Sequence, residues 1–358
     1  MRTENIVLPR YRVGAHILRD AADIFAQQGR RALVIGGRTA MDVALPMVRA
    51  ACAQGGVEIV DAQLYGGECT YGNMERLKEI ALARGADMIV GIGGGKALDT
   101  AKGCAHLLGM PVVTVPTIAS TCAAVTALSV VYTEESVFIE SMFHEQPPAF
   151  ALIDLEVIAH APACYLRAGM GDAIAKHVEC MLSSRGRELS HSCALAVAIS
   201  TTSCEPLLKY GAQAMEDVRR GAVTDALKQA VLANIVSTGL VSLLIEEIYN
   251  GALAHALFYG LTRIPHFEEK CLHGDAVGYG VLVQEQLDGK TEALARIRSF
   301  MRQVGMPTCL RETGFELTRQ VLDEVVPAAL KALRDARVMP YAVTPEMLEE
   351  ALQAVEKM

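Results

Sequence analysis

The sequence predicts an α/β domain built on a parallel sheet over residues 1–160, followed by an all-α domain over residues 161–358. Two observations predict it. In the first part, short apolar runs alternate with segments of helical apolar spacing, the pattern of a parallel sheet covered by helices. From about Pro162 onward the strand-like runs stop, and Ala/Leu/Val-rich helical segments take over. A length of 358 residues by itself also suggests two domains.

The strand-like runs are Ala32–Gly37, Val57–Leu64, Asp87–Gly91 and Pro111–Pro116. Between them Ala40–Ala53, Met74–Arg84 and Lys96–Leu108 carry helical spacing. A hairpin pairing Ser129–Thr133 with Val137–Ser141 follows, then a strand near Ala149–Leu155. The helical part reads as Tyr165–Ser183, Leu189–Tyr210, Met215–Leu240, Glu246–Leu261, Asp275–Leu287 and Glu292–Val304.

Composition narrows the partners. With 33 basic against 41 acidic residues and no basic run, neither nucleic acid nor an anionic membrane surface is expected, and a small-molecule substrate fits better. Ten scattered cysteines without a CxxC pair read as reduced thiols in a cytoplasmic protein. The N-terminus lacks an apolar signal core, and the most apolar stretch, Val231–Leu261, is interrupted by Asn234, Glu246, Glu247, Asn250 and His255, so it reads as core rather than membrane span.

Two constellations suggest chemistry. Ile89–Lys96 (IVGIGGGK) runs from a buried strand through three glycines into a helix, so backbone N–H groups and the helix dipole would approach a phosphate; a plain Gly-rich turn has the same composition. Downstream, the hydroxyl-rich Pro116–Cys122 at a strand's C-terminal end suits hydrogen bonding to a ligand or capping of the next element. In the helical part, Asp172 sits in an apolar helix where a lone carboxylate is costly, His255 lies in similar surroundings, and His273 opens a helix at Leu272-His273-Gly274-Asp275. One carboxylate and two imidazoles would make a catalytic zinc site, although their long separations form no local zinc motif; His177 and Glu179 compete on the Asp172 helix.

GIGGGKALDTAK, PTIASTCAAVTALSVVYTE, AGMGDAIAKHVE, AHALFYGLT and HGDAVGYGVLVQ resemble, in order and spacing, the signature blocks of glycerol dehydrogenases, within the iron-containing alcohol dehydrogenase superfamily. YGGECTYGNMERL and VMPYAVTPEML extend the likeness over essentially the whole chain. The resemblance implies the dehydroquinate synthase-like fold, with a Rossmann-like N-terminal domain and a helical C-terminal domain, in a homo-oligomer. It implies metal ligands at Asp172, His255 and His273; Lys176, where iron-type members usually carry a fourth histidine, favours the three-ligand, zinc pattern. Gly94, Gly95 and Lys96 would hold the pyrophosphate, and Thr117, Ser120, Thr126, Leu128 and Tyr132 would line the nucleotide and nicotinamide pocket.

Three departures shape the expectation. Cys122 replaces the Asp with which glycerol dehydrogenases contact the polyol, a substitution similar to a hydroxycarboxylate dehydrogenase branch. Phe258 and Tyr259 replace a second His and an Asn, making the substrate pocket more apolar and leaving no obvious proton relay. Gly37-Arg38 replaces the ribose-binding Asp of NAD-type members; Arg38 would pair with a 2′-phosphate, favouring NADP. The resemblance therefore implies a metal-dependent NAD(P)-linked oxidoreductase acting on the CH–OH group of a small hydroxy acid, hydroxyketone or polyol. Substrate would meet Cys122, Phe258 and the three ligand positions. Glycerol oxidation is the second expectation, and a dehydroquinate synthase-like lyase, which shares the fold but normally uses a Glu ligand, is the third.

Overall fold

The computed structural model describes residues 5–336 and 339–358; Val338, first of the late resemblance block, lies outside them. The chain forms two compact units. One contains the residues up to Pro162 together with Asp217–Lys228; the other contains Ala163–Glu216 and Gln229–Met358. The break after Pro162 lies beside the expected boundary near residue 160, and residues 217–228 group with the first unit.

The first unit is built on six parallel strands: β1 (Tyr11–Gly14), β2 (Arg31–Gly36), β3 (Glu58–Leu64), β4 (Met88–Gly93), β5 (Val112–Pro116) and, after a separate hairpin, β8 (Phe150–Asp154). The hairpin is β6 (Leu128–Tyr132) with β7 (Phe138–Phe143), antiparallel with a bulge between Val131 and Tyr132. The sheet order is β1-β8-β5-β4-β2-β3. In β2 the alternation is visible residue by residue. Ala32 and Val34 join one apolar cluster with Phe25, Val48, Val90 and Val113, while Leu33 and Ile35 join another with Leu77, Ala81, Ile89 and Cys104. Apolar residues on both sides of one strand require helices on both faces, as a parallel sheet demands. Sequence periodicity did not find β1, whose four residues are half exposed.

Strand order also fixes where a ligand would sit. From β2 the chain steps to β3 at one edge, then returns to place β4 on the other side of β2. This reversal is the switch point of an open parallel sheet, where a crevice opens outside the strand ends. Gly36 pairs beside Ile92, and Gly93 beside Pro116, so the turns after β2, β4 and β5 are neighbours.

The second unit is helical, with no strand among its described residues. Three of the expected helices end differently. Leu189–Tyr210 is broken by a 3₁₀ turn, Ser200–Ser203, where Ser200 and Ser203 hydroxyls donate to the carbonyls of Val197 and Ser200 and compete with helical bonding. Met215–Leu240 is interrupted at Gly221, whose φ of +62° closes the helix Glu205–Arg220. Glu246–Leu261 begins only at Leu253, after a short 3₁₀ turn at Glu247–Tyr249. Helices Arg319–Ala336 and Pro345–Glu356 complete the unit. The run Asp225–Leu244 is long and apolar enough to cross a membrane, yet more than half of it is buried inside the protein. Asn234 and Thr238 within it are buried, donating to the carbonyls of Leu166 and Ala233. All ten cysteines are free.

The tightest contact of the helical unit lies between Ala163–Ser183 and His273–Leu287. A Cβ on Gly274 would run into the carbonyl of Ala168, and one on Gly171 into the carbonyl of Gly274. Arg167 locks the same crossing with a bidentate pair to buried Asp275, at 2.9 and 2.6 Å. Gly274→Ala must therefore separate the two helices, at a cost of about 1–3 kcal/mol or more for an overpacked, rigid contact. The expected result is a lower melting temperature in calorimetry, and a variant as stable as the parent would show that the crossing relaxes freely.

Candidate active site

Close approach of those helices places Asp172, one residue after Gly171, against His273, one residue before Gly274. The helix Leu253–Leu261 supplies His255, and it approaches His273–Leu287 closely because Gly280 leaves no side chain: a Cβ there would lie 2.7 Å from the carbonyl oxygen of Ala254. His255 Nε2 is 3.5 Å and His273 Nε2 3.8 Å from Asp172 Oδ1, and one ligating atom from each of the three residues lies within 4.8 Å of the others. Three residues far apart in the chain thus converge with their donor atoms inward.

Protein groups set their charges. Burial by itself would raise the Asp172 carboxyl; the His255 hydrogen bond and the His273, His255 and Lys176 charges outweigh it and hold the group at about 2. Burial would depress His255, but the Glu179 carboxylate, with Asp172, lifts it to about 9. Desolvation pushes His273 down to about 4 against the pull of Asp172. The cluster therefore carries a carboxylate, one imidazolium clamped between two acids and one neutral imidazole near neutral pH. A divalent cation entering here would replace the His255 proton.

Glu179 is the site residue that sequence reasoning placed only as a competitor for the ligand role. Fully buried, it bonds His255 Nδ1 at 2.5 Å and leaves Nε2 toward Asp172. A carboxylate behind a ligating imidazole fixes the ring and its tautomer. The signal was present in the sequence: a Glu two turns after Asp172 shares its helix face. His177 turns away to Ser200 Oγ at 2.8 Å. Lys176 bonds the Asn250 carbonyl and side chain at 3.0 and 2.8 Å. Phe258 is buried and meets the His273 ring edge-on, with centroids 4.4 Å apart at 84°.

In the α/β unit, Gly93 adopts φ +148° and Gly94 forms the N-cap of the helix Gly95–Leu108. A Cβ on Gly93 would lie 2.9 Å from Ala97 Cβ at a φ that favours glycine, while one on Gly94 would meet the end of the Ile118 side chain at 2.6 Å. Gly37 N donates to Ile92 O at 3.3 Å and Thr117 N to Gly93 O at 3.1 Å. These bonds hold the Gly37-Arg38 turn and the 117–121 segment against the glycine turn. Arg38 opens the helix Arg38–Gln54, exposed, and makes no ion pair among the described residues.

Other expected nucleotide residues have protein partners. Lys96 is ion-paired with Glu68, a buried carboxylate that also accepts from Ser136 Oγ at 2.7 Å, and its ammonium lies 5.4 Å from the Tyr132 ring centre. Thr126 Oγ1 accepts from buried Lys102 at 3.2 Å, and the Leu128 carbonyl accepts from the same ammonium. Lys102 in turn pairs with Asp99 at 2.8 Å. Cys122 and Ser120 are half-buried beside these turns.

The chain and its fold have counterparts among known proteins. A family model described as iron-containing alcohol dehydrogenase matches residues 9–155. Glycolaldehyde reductase of Halobacterium salinarum is 32% identical over 356 residues, covering 97% of this chain and 95% of its own. Hydroxycarboxylate dehydrogenase A of Escherichia coli is 33% identical over 334 residues, covering 92% and 90%. The crystal structure of glycerol dehydrogenase from Schizosaccharomyces pombe matches with a TM-score of 0.89 at 27% identity, covering 100% of this chain and 91% of that one. The chain belongs to the iron-containing alcohol dehydrogenase family. Within it, the protein is a glycerol dehydrogenase-like oxidoreductase of the CH–OH group, which decides against the lyase alternative.

Proposed function

We propose that this protein is a metal-dependent, NAD(P)-linked dehydrogenase that interconverts the CH–OH and C=O forms of a small hydroxy acid or hydroxyketone. The observation that carries the metal reading is the convergence of Asp172, His255 and His273 donor atoms within 4.8 Å. Tetrahedral zinc with bonds of about 2.0–2.1 Å needs donors about 3.3 Å apart, and the Asp172–His255 and Asp172–His273 separations of 3.5 and 3.8 Å are close to that. Two imidazoles and one carboxylate suit zinc with an open position for substrate.

When bound, the ion polarises the substrate oxygen and the nicotinamide accepts or donates the hydride. The chain's own residues prepare this. Glu179 orients His255, Phe258 shields one side of His273 from water, and the backbone N–H groups of the glycine turn would face the pyrophosphate. The Lys96–Glu68 pair leaves the phosphates chiefly to backbone donors. Ten free thiols favour a reducing, cytoplasmic setting. Cys122, neutral where the resemblance places a polyol-contacting Asp, favours a carboxylate-bearing substrate. Glycerol oxidation is the second reading, supported by the glycerol dehydrogenase match.

Asp172→Asn should abolish turnover while nucleotide binding stays nearly intact by fluorescence titration, and a fully active preparation free of metal would defeat the metal reading. Arg38→Ala should raise the KM for NADPH about 10- to 100-fold, the equivalent of about 1.5–3 kcal/mol from charge-assisted bonds to a 2′-phosphate. The KM for NADH should change little; equal effects on both cofactors would place Arg38 outside the nucleotide site. Cys122→Asp should depress reduction of 2-oxo acids and raise oxidation of glycerol or 1,2-diols, because an added carboxylate repels one substrate class and bonds the other. Parallel changes in kcat/KM for both classes would remove Cys122 from substrate selection.

A further inference from the structure

The helix that carries His255 starts without a cap of its own. Gly251 follows the short turn Glu247–Tyr249, and Ala252, at φ −153° and ψ −133°, offers no side-chain acceptor. A helix start leaves its first N–H groups without intrahelical partners. Two buried side chains from other helices take them. Ala252 N and His255 N donate to Glu179 Oε1 at 2.8 and 2.9 Å, while Leu253 N and Ala254 N donate to Gln284 Oε1 at 3.0 and 3.3 Å. Both side chains are 0% exposed.

Their origin gives the arrangement its meaning. Glu179 lies on the helix that presents Asp172, and Gln284 on the helix that presents His273. Each of these helices therefore contributes one donor to the cluster and one acceptor to the root of the third helix. A Ser, Thr or Asp at position 252 would cap that helix locally. The chain instead buries a whole amide whose Nε2 finds no hydrogen-bond partner among the described residues, a cost that apolar packing alone would avoid.

We propose that Glu179 and Gln284 are a pair of positioning residues that set the place and direction of His255 relative to Asp172 and His273. Divalent-ion affinity therefore depends on Gln284, whose side-chain hydrogen bonds among the described residues go to the backbone of Leu253 and Ala254. This deepens the metal reading and rests on it.

The test uses the full chain, with zinc affinity measured by chelator competition and the visible spectrum of the cobalt(II) form as a readout of ligand geometry. Gln284→Met keeps the length and loses the acceptor; Gln284→Glu keeps an acceptor oxygen. Gln284→Met should bind zinc about 10- to 100-fold more weakly and shift the cobalt bands, with Gln284→Glu recovering most of both. A Gln284→Met protein that melts earlier yet keeps the parent's zinc affinity and cobalt spectrum overturns the proposal, because the amide then serves folding alone. Should Gln284→Met fail to fold, Glu179→Gln decides. It keeps an acceptor for the Ala252 and His255 N–H groups and loses the carboxylate behind Nδ1, so unchanged zinc affinity there also overturns the proposal. A parent that binds neither ion removes the metal reading itself, a failure separate from a parent that binds zinc and ignores these substitutions.

Discussion

The site depends on helix backbones meeting at glycine. Where Ala163–Ser183 crosses His273–Leu287, Gly171 and Gly274 leave no side chain between carbonyl and Cα, and the flanking Asp172 and His273 reach one another as a result. The same device recurs at Gly280 against Ala254, next to His255. Side chains as short as Asp and His converge on one point only if the helices bearing them lie closer than ordinary side-chain packing allows. Arg167–Asp275 adds a bidentate ion pair to the same crossing.

That closeness creates an electrostatic problem. Two carboxylates, Asp172 and Glu179, are buried on one helix, and two imidazoles are pressed against them. Without compensation each buried acid would be driven neutral. Here both stay ionised because His255 is shared between them, bonding Glu179 through Nδ1 and facing Asp172 through Nε2. A divalent cation held in place of the His255 Nε2 proton would keep both carboxylates compensated, so the charge pattern and the proposed metal site are consistent.

The α/β unit solves a complementary task with backbone rather than side chains. At the switch point between β2 and β4, buried Gly93 turns the chain into half-buried Gly94 and Gly95 at the helix start, and neighbouring bonds from Gly37 and Thr117 fix the adjacent turns. The lysine next to the glycines is taken by Glu68 and Tyr132. Arg38 stands exposed at the start of its helix, and the proposed NADP preference rests on that guanidinium.

Much of this was legible in the sequence, and the division has a physical basis. Alternation in β2 and β4, the glycine turn and the change to helix after Pro162 are local patterns, so periodicity alone determined the α/β-then-α order and marked Asp172 and His255 as polar residues in apolar helices, with His273 at a helix start. Motif order then joined those three into one expected ligand set. Tertiary structure decided what depends on contacts between distant segments. It broke the helix before Leu253, closed another at Gly221, returned residues 217–228 to the first unit, and paired Lys96 with Glu68. It also made Glu179, expected only as a competitor for the ligand role, and Gln284, unremarked in the sequence, into the acceptors that root the His255 helix. A buried polar group declares its cost in the sequence, but its partner is chosen by which backbones can approach, and that is a property of the packed chain.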